Sequence, residues 1–125
     1  MSGENAGSKG KIFIVAGEES GDRHGADLVR AVCSRRPGLS FVGIGGEQMG
    51  KAGVEIVSSS GKISVVGIVE LLEKAPSLLK AYLKARRVIT HRPLLAAIFI
   101  DFPDFNLRLA RVARNAGIPV FYYIS

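Results

Sequence analysis

Apolar residues occur in this chain in two alternating patterns: short continuous runs and longer stretches with helical spacing. The short runs cover residues 11–16, 41–44, 54–57, 94–101 and 120–124 and are rich in Val, Ile and Phe, as is typical of buried strands. Between them, apolar residues recur every three or four positions up to about residue 36, from 64 to 90, and from 105 to 116. Strands that alternate with helices predict βαβ units and a parallel sheet with right-handed crossovers. The pattern therefore predicts an α/β fold, a three-layer Rossmann-like domain.

Proline and glycine mark the expected ends of the helices. Pro37 and Gly38 stop the first helix, and Pro76 interrupts the long helical pattern, so a second helix is expected to begin with Pro76 in its first turn. The last helix is expected to begin near Phe105, with Asp104 or Asn106 as its N-cap, and to end at Gly117. Residues 10–125 are predicted to form one domain, and the Gly/Ser/Asn-rich residues 1–9 a disordered leader.

The charge balance narrows the classes of partner. Seventeen Lys and Arg face eleven Asp and Glu, a net charge of +6, which favours anionic partners. Residues 67–92 carry most of this excess, and no recognition motif for nucleic acid accompanies it. Cys33 is the only cysteine, which excludes an internal disulfide and multi-cysteine metal sites. No apolar run is long enough to span a bilayer or resembles a signal peptide, so the expected location is the cytosol or the cytosolic side of a membrane.

Asp101 is the leading candidate for chemistry. It directly follows an apolar run that is expected to be a buried strand, and ligands of open α/β sheets bind at the carboxyl ends of strands. A buried carboxylate there is costly unless it is paired or functional, so Asp101 is a candidate general base toward a substrate hydroxyl. Asp104, three residues later, is more simply explained as a helix cap.

Two glycine-rich segments follow the first two predicted strands. Gly17, Gly21 and Gly25 recur at four-residue spacing in a predicted loop, residues 17–25, that also holds Ser20, Asp22 and His24. Such a loop either binds an anion with its backbone amides or forms a tight turn in which Ser20 or Asp22 caps the helix. Gly45 and Gly46 likewise have two explanations, close approach of a ligand or a plain turn. The segment lacks G-x-G-x-x-G, which argues against a dinucleotide cofactor, and His91 is expected at the surface of a helix end.

The basic helical segment 67–90 also has two explanations. Its apolar stripe fits packing against the sheet. Val69, Leu83 and Val88 lie off that stripe, however, and a surplus apolar edge beside basic residues is the pattern of a helix that lies on a membrane surface.

Four motifs in order resemble one protein family, the lipid-A-disaccharide synthases. They are Gly17-Glu18-x-Ser20-Gly21-Asp22-x-His24-Gly25-Ala26, Phe41-Val42-Gly43-Ile44-Gly45-Gly46-x-x-Met49, Val66-Gly67-Ile68-Val69-Glu70 and Ile100-Asp101-x-Pro103-Asp104-Phe105-Asn106. The similarity extends from about residue 11 to the end. Glu19 and Phe102 depart from the family pattern, which usually has a small residue and alanine there.

The resemblance implies the N-terminal, acceptor-side domain of a GT-B glycosyltransferase of Gram-negative bacteria. Such an enzyme moves 2,3-diacylglucosamine from UDP-2,3-diacylglucosamine to 2,3-diacylglucosamine 1-phosphate, without cofactor or metal, and gives a β(1→6) disaccharide and UDP. It also implies a peripheral location on the cytosolic face of the inner membrane and leaves room for a homo-oligomer. In family chains a second domain with most UDP-sugar contacts follows, so this chain alone is expected to be inactive.

The resemblance also assigns roles to residues. Asp101 matches the catalytic base. The expected substrate contacts are Gly17, Ser20, Gly21, Asp22, His24, Gly25, Gly45, Gly46 and Asn106. The expected membrane or acyl-chain patch is Val69, Leu71, Leu72, Leu78 and Leu79. The alternative from another functional class is a non-catalytic domain that binds acyl lipid or a membrane surface.

Overall fold

The computed structural model describes residues 10–17, 19–59 and 75–124. Nine elements alternate along this part of the chain: β1 (Gly10–Ala16), α1 (Glu19–Arg35), β2 (Leu39–Gly45), α2 (Glu47–Lys51), β3 (Glu55–Ser59), α3 (Ala75–His91), β4 (Ala96–Ile100), α4 (Pro103–Asn115) and β5 (Val120–Tyr123). The expected leader and the expected helix before Pro76 lie outside the described residues.

The described strands form one parallel sheet in the order β3-β2-β1-β4-β5. The chain first adds strands on one side of β1, then crosses back and adds β4 and β5 on the other side. Right-handed crossovers in opposite directions place the connecting helices on opposite faces of the sheet. The predicted α/β, three-layer Rossmann-like architecture is confirmed.

Each face of the sheet carries its own hydrophobic core, because successive side chains of a strand point to opposite faces. On one face, α1 and α2 pack with Ala26, Val29 and Met49 against Ile12 and Ile14 of β1. On the other face, α3 and α4 pack against Phe13, Val15 and Phe99; the helix residues buried there are Ala81, Ala85, Val88, Ile89, Phe105, Leu109 and Ala113. Because both faces of β1 are buried, its run of apolar residues is continuous and does not alternate with polar ones.

The predicted ends of the helices are confirmed at two positions. Helix α3 begins at Ala75, so Pro76 lies in its first turn. Helix α4 ends in a Schellman motif, in which Gly117 N–H donates to the Arg114 carbonyl (3.0 Å) and Ile118 N–H to the Ala113 carbonyl (2.9 Å). Gly117 has a φ of +80°, a left-handed conformation that residues with a Cβ adopt only at a cost.

Two differences from the expected boundaries change how residues are interpreted. The strand expected at 54–57 extends through Ser59, because Ser58 and Ser59 pair with Ile44 and Gly45 of β2. The strand ladder uses backbone groups, so these serines join it despite their polar side chains. The expected loop at residues 17–25 is also wrong, since α1 already begins at Glu19. The four-residue spacing of the glycines is the period of one helix face.

The Schellman glycine allows a stability test with an internal control. Replacing Gly117 with alanine is expected to lower the free energy of unfolding by about 1 to 2 kcal/mol, because a Cβ disfavours the left-handed conformation. Gly50→Ala, inside α2, meets only Ile56 at 3.7 Å and is expected to be neutral or stabilising. Urea denaturation of both variants measures the difference, and equal effects would contradict the role of Gly117.

Candidate functional site

The candidate site lies where the direction of the strand order reverses, between β1 and β4. Ala16 and Ile100 pair as the last residues of these strands, so Gly17 and Asp101 leave the sheet side by side. From there the chain runs to opposite faces, into α1 and α4. A crevice at such a switch point is the usual ligand site of open α/β sheets. The structure therefore brings together two predicted site residues that are far apart in the sequence.

Asp101 and Phe102 both have left-handed backbone conformations, with φ of +50° and +46°. This conformation costs roughly 1–2 kcal/mol for a residue with a Cβ, and strain of this kind concentrates at functional sites. Phe102 is the N-cap of α4 and has no side-chain capping bond. The predicted cap is therefore wrong: Asp104 lies in the first turn of α4, where it favourably faces the helix dipole, and Asn106 lies further inside the helix.

Phe102 occupies space that Gly17 leaves open. A Cβ on Gly17 would lie 2.8 Å from the Phe102 ring, so a larger residue at position 17 would clash with it. The ring of Phe102 also packs against Phe105, with 5.7 Å between their centroids. Close approach of a protein side chain therefore explains Gly17 without a ligand.

Both backbone groups of Asp101, the N–H and the carbonyl, are hydrogen-bonded. Its N–H donates to the carbonyl of Tyr123 (3.0 Å). Its carbonyl oxygen accepts from the Asn106 side-chain amide (2.7 Å) and from the Tyr122 hydroxyl (2.6 Å). The Asp101 residue itself is half-buried, so it combines a fixed backbone with partial access to solvent.

Tyr122 contacts the candidate base Asp101, which the sequence analysis does not predict. Burial raises the pKa of its phenol; the nearby side-chain amide of Asn106 opposes this rise, and the carboxylates of Asp101 and Asp104 add to it. The hydroxyl is therefore protonated at neutral pH and available as a donor. No local pattern near residue 122 indicated this contact, since Asp101 lies 21 residues earlier.

Asn106 is hydrogen-bonded to the backbone at the end of β4. Its side chain is fully buried, and its amide donates to the carbonyls of Ile100 (3.2 Å) and Asp101 (2.7 Å). The side chain has no exposed surface in this conformation, and its two hydrogen bonds support the end of β4.

The side chain of Asp22 is also hydrogen-bonded to backbone groups. It is buried in α1, and its carboxylate accepts hydrogen bonds from the backbone N–H groups of Gly46 (2.8 Å), Gln48 (2.9 Å) and Met49 (3.0 Å). These are the first amides of α2, which have no partner within the helix. Asp22 therefore caps α2 from another helix, and a Cβ on Gly46 would lie 2.7 Å from its carboxylate.

Met49 explains two more of the predicted site glycines. It is fully buried; a Cβ on Gly25 would lie 2.8 Å from its sulfur, and one on Gly45 would also clash with it. We call Asp22, Gly25, Gly45, Gly46 and Met49 the α1–α2 interlock. Four of the residues expected to contact substrate thus pack inside the protein, Asp22 against Gly46 and the other two glycines against Met49. Met49 is the last residue of the motif that begins at Phe41, and its packing role is not apparent from the sequence.

Ser20 and His24 are the exposed polar residues among the predicted contacts on α1. The His24 ring lies 5.6 Å from the Tyr123 ring, centroid to centroid. Together with Asp27 and Leu28 these two rings line a cleft of about 370 Å³. The Tyr123 carbonyl accepts from the Asp101 N–H, so one wall of this cleft belongs to a residue that is hydrogen-bonded to the backbone of Asp101. Gly21 is buried against Ala16 and Ile100, beneath the exposed side of α1.

The predicted apolar patch is described only in part. Leu79 is 51% exposed on α3, whereas Val69, Leu71 and Leu72 and the side chain of Leu78 lie outside the described residues. No helix within the described ranges is long and apolar enough to cross a membrane. In the same part of the chain, no three His, Cys, Asp or Glu side chains group as a metal site would require.

The interlock makes a prediction about stability. Asp22→Asn replaces one acceptor oxygen with a donor that faces an N–H group, and is expected to lower the free energy of unfolding by about 2 kcal/mol. The matched control is Asp27→Asn on the same helix, whose side chain is 80% exposed and pairs with Arg30; it is expected to change stability by less than about 0.5 kcal/mol. Thermal and urea unfolding of both variants measure this, and an unchanged Asp22→Asn would contradict the capping role.

A family model described as lipid-A-disaccharide synthetase matches residues 12–125. Curated relatives named lipid-A-disaccharide synthase include those of Geobacter sulfurreducens, 52% identical over 115 residues, Myxococcus xanthus, 44% identical over 115 residues, and Coxiella burnetii, 39% identical over 118 residues. The alignments cover 92% of this chain for the first two and 94% for the third. The chain spans about 30% of the length of these relatives, at their N-terminal end. The ordered motifs, the switch-point architecture and the family match agree, and the chain belongs to the lipid-A-disaccharide synthetase family.

Proposed function

We propose that this chain supplies the acceptor side of a lipid-A-disaccharide synthase, an inverting glycosyltransferase that uses a UDP-sugar. The proposed reaction transfers 2,3-diacylglucosamine from UDP-2,3-diacylglucosamine to the 6-hydroxyl of 2,3-diacylglucosamine 1-phosphate. The products are a β(1→6)-linked disaccharide and UDP. Family membership supports the reaction class, and the names of the relatives support the product.

The observation that carries the proposal is the position of Asp101. It is the first residue after a central buried strand, at the switch point, in a left-handed conformation held by backbone hydrogen bonds. A base must meet its substrate in a fixed geometry. A half-buried carboxylate on a clamped peptide at the ligand-binding edge meets that requirement.

In the proposed step, the Asp101 carboxylate takes the proton of the acceptor 6-hydroxyl while that oxygen attacks C1 of the donor sugar. The bond from C1 to the UDP oxygen breaks, and UDP leaves with the electron pair. Attack from the opposite side inverts C1, which yields the β linkage. Ser20 and His24, exposed on the first turns of α1, are the proposed polar contacts of the acceptor, and the N-terminus of this helix favours its phosphate.

Asp101→Asn tests the base. The assay uses a chimera in which residues 12–125 replace the matching segment of the Geobacter sulfurreducens relative, because the chain spans only 30% of that protein. The substitution keeps the shape of the side chain but removes its basicity, so kcat is expected to fall by about 10²- to 10⁴-fold. Formation of the disaccharide from labelled donor and acceptor measures it.

The matched control is Asp104→Asn, an exposed carboxylate three residues away, which is expected to keep kcat within about 3-fold because surface substitutions perturb little. Equal kcat for Asp101→Asn and the parent chimera would remove the base assignment. A chimera without transferase activity, given correct folding, would favour the non-catalytic lipid-binding alternative.

We further propose that α3 faces the cytosolic surface of the inner membrane. Leu79 and Leu83, one turn apart, are 51% and 50% exposed. Exposed cations surround them, and the α3 sequence contains no acidic residue; the cations are Lys80, Lys84, Arg86 and Arg87. Apolar side chains flanked by cations favour binding to anionic lipid surfaces.

Vesicle flotation tests the membrane proposal. The Leu79→Ser/Leu83→Ser variant of the chain is expected to bind vesicles of 30% anionic lipid about 5- to 10-fold more weakly than the parent, because less apolar surface is buried. Leu107→Ser is the control, since Leu107 is a similarly exposed leucine (58%) on a different helix, α4. Equal loss in both variants, or binding that salt does not weaken, would contradict the proposed orientation.

A further inference from the structure

Three departures from ordinary protein structure meet around Asp101. The first is the pair of left-handed residues, Asp101 and Phe102. The second is the Oδ1 atom of Asn106, which is buried and has no hydrogen-bond partner in the part of the chain that the structure describes. The third is the Tyr122 hydroxyl, which reaches across from the edge strand to a backbone carbonyl. Native structures tolerate such features mainly where function requires a particular geometry.

The two side chains converge on a single atom. The Asn106 amide and the Tyr122 hydroxyl donate to the Asp101 carbonyl oxygen at 2.7 and 2.6 Å, which uses both lone pairs of that oxygen. They come from different elements, α4 and β5. The Asp101 N–H is bound in turn to the Tyr123 carbonyl at 3.0 Å. Asp101 is thereby fixed on both sides of its Cα atom.

The orientation of the Asn106 side chain fixes the backbone of Asp101 at a cost in the stability of the folded state. Its amide group must point at the Ile100 and Asp101 carbonyls to make its two hydrogen bonds. That orientation leaves Oδ1 buried and unpaired, which destabilises the folded state. An apolar residue would avoid this penalty but would release the Asp101 carbonyl.

We propose that Asn106 and Tyr122 are positioning residues for Asp101. They hold its peptide in the left-handed conformation, so that the carboxylate stays at the switch point in the orientation that takes a proton from the acceptor hydroxyl. The catalytic part of this inference rests on the proposed function. The structural part, a clamp on the Asp101 peptide, stands on the hydrogen bonds alone.

Tyr122→Phe is the decisive variant, because it removes the hydroxyl and keeps the ring that packs against Phe99 at 6.4 Å between centroids. In the chimera defined above, well below its melting temperature, kcat is expected to fall about 10- to 100-fold while KM stays within about 2-fold, since a small misplacement of a catalytic group costs this much. Tyr82→Phe is the matched control: it removes the hydroxyl of a half-buried tyrosine on α3 whose ring packs against Phe105 at 6.2 Å between centroids, and kcat is expected to change by less than about 2-fold.

A second measurement needs no activity. Hydrogen exchange of the Asp101 amide in the chain itself is expected to speed up about 5- to 10-fold in Tyr122→Phe, the loss of about one hydrogen bond, and to stay unchanged in Tyr82→Phe. Asn106→Leu is expected to act in the same direction as Tyr122→Phe on both readouts. If it fails to fold, Tyr122→Phe still decides the question.

The two readouts separate the possible failures. A parent chimera without activity would overturn the proposed function, whereas faster Asp101 exchange in Tyr122→Phe would still support the clamp. Unchanged exchange together with unchanged kcat would overturn the positioning role. A raised KM with unchanged kcat would also overturn it, because that result would make Tyr122 a substrate contact.

Discussion

The handedness of the strand crossovers decides where chemistry can occur in this domain. Right-handed connections that run in opposite directions from β1 and β4 place α1 on one face of the sheet and α4 on the other. The two chain segments separate just after Ala16 and Ile100, so Gly17 and Asp101 lie at the switch point, where open α/β sheets bind ligands. The other features of the site, including the strained turn after β4, depend on this strand topology.

The glycines near the crevice serve the protein's own packing. Gly25 and Gly45 leave room for Met49, Gly46 leaves room for the Asp22 carboxylate, and Gly17 leaves room for Phe102. A glycine-rich segment after a strand is often interpreted as a cradle for phosphate, yet close contact between protein atoms imposes the same requirement. The interlock holds the first turns of α1 against α2, which orients the exposed Ser20 and His24 at the edge of the sheet.

Strain and unpaired polar groups in the described residues concentrate on one side of the crevice. Asp101 and Phe102, the described non-glycine residues with a left-handed backbone, are consecutive. The buried Oδ1 atom of the nearby Asn106 has no hydrogen-bond partner among the described residues. On the α1 side, by contrast, the buried carboxylate of Asp22 has three backbone donors. The buried carboxylate on the α1 side thus has its hydrogen-bond partners, whereas the Asp101 side carries the backbone strain and the unpaired acceptor. This distribution is expected when one carboxylate does the chemistry.

The local pattern of the sequence determined the strands, the helices, Pro76 in the first turn of α3, the stop at Gly117 and the place of Asp101 at a strand end. Each depends on residues within one or two turns, so a short window contains the signal. The ordered motifs also identified the family. Only the tertiary structure decided the roles of Asp22, Met49, Asn106 and Tyr122. Asp22 acts on amides 24 to 27 residues away, and Tyr122 on a carbonyl 21 residues away, and such partners become neighbours only when the crossovers close the sheet.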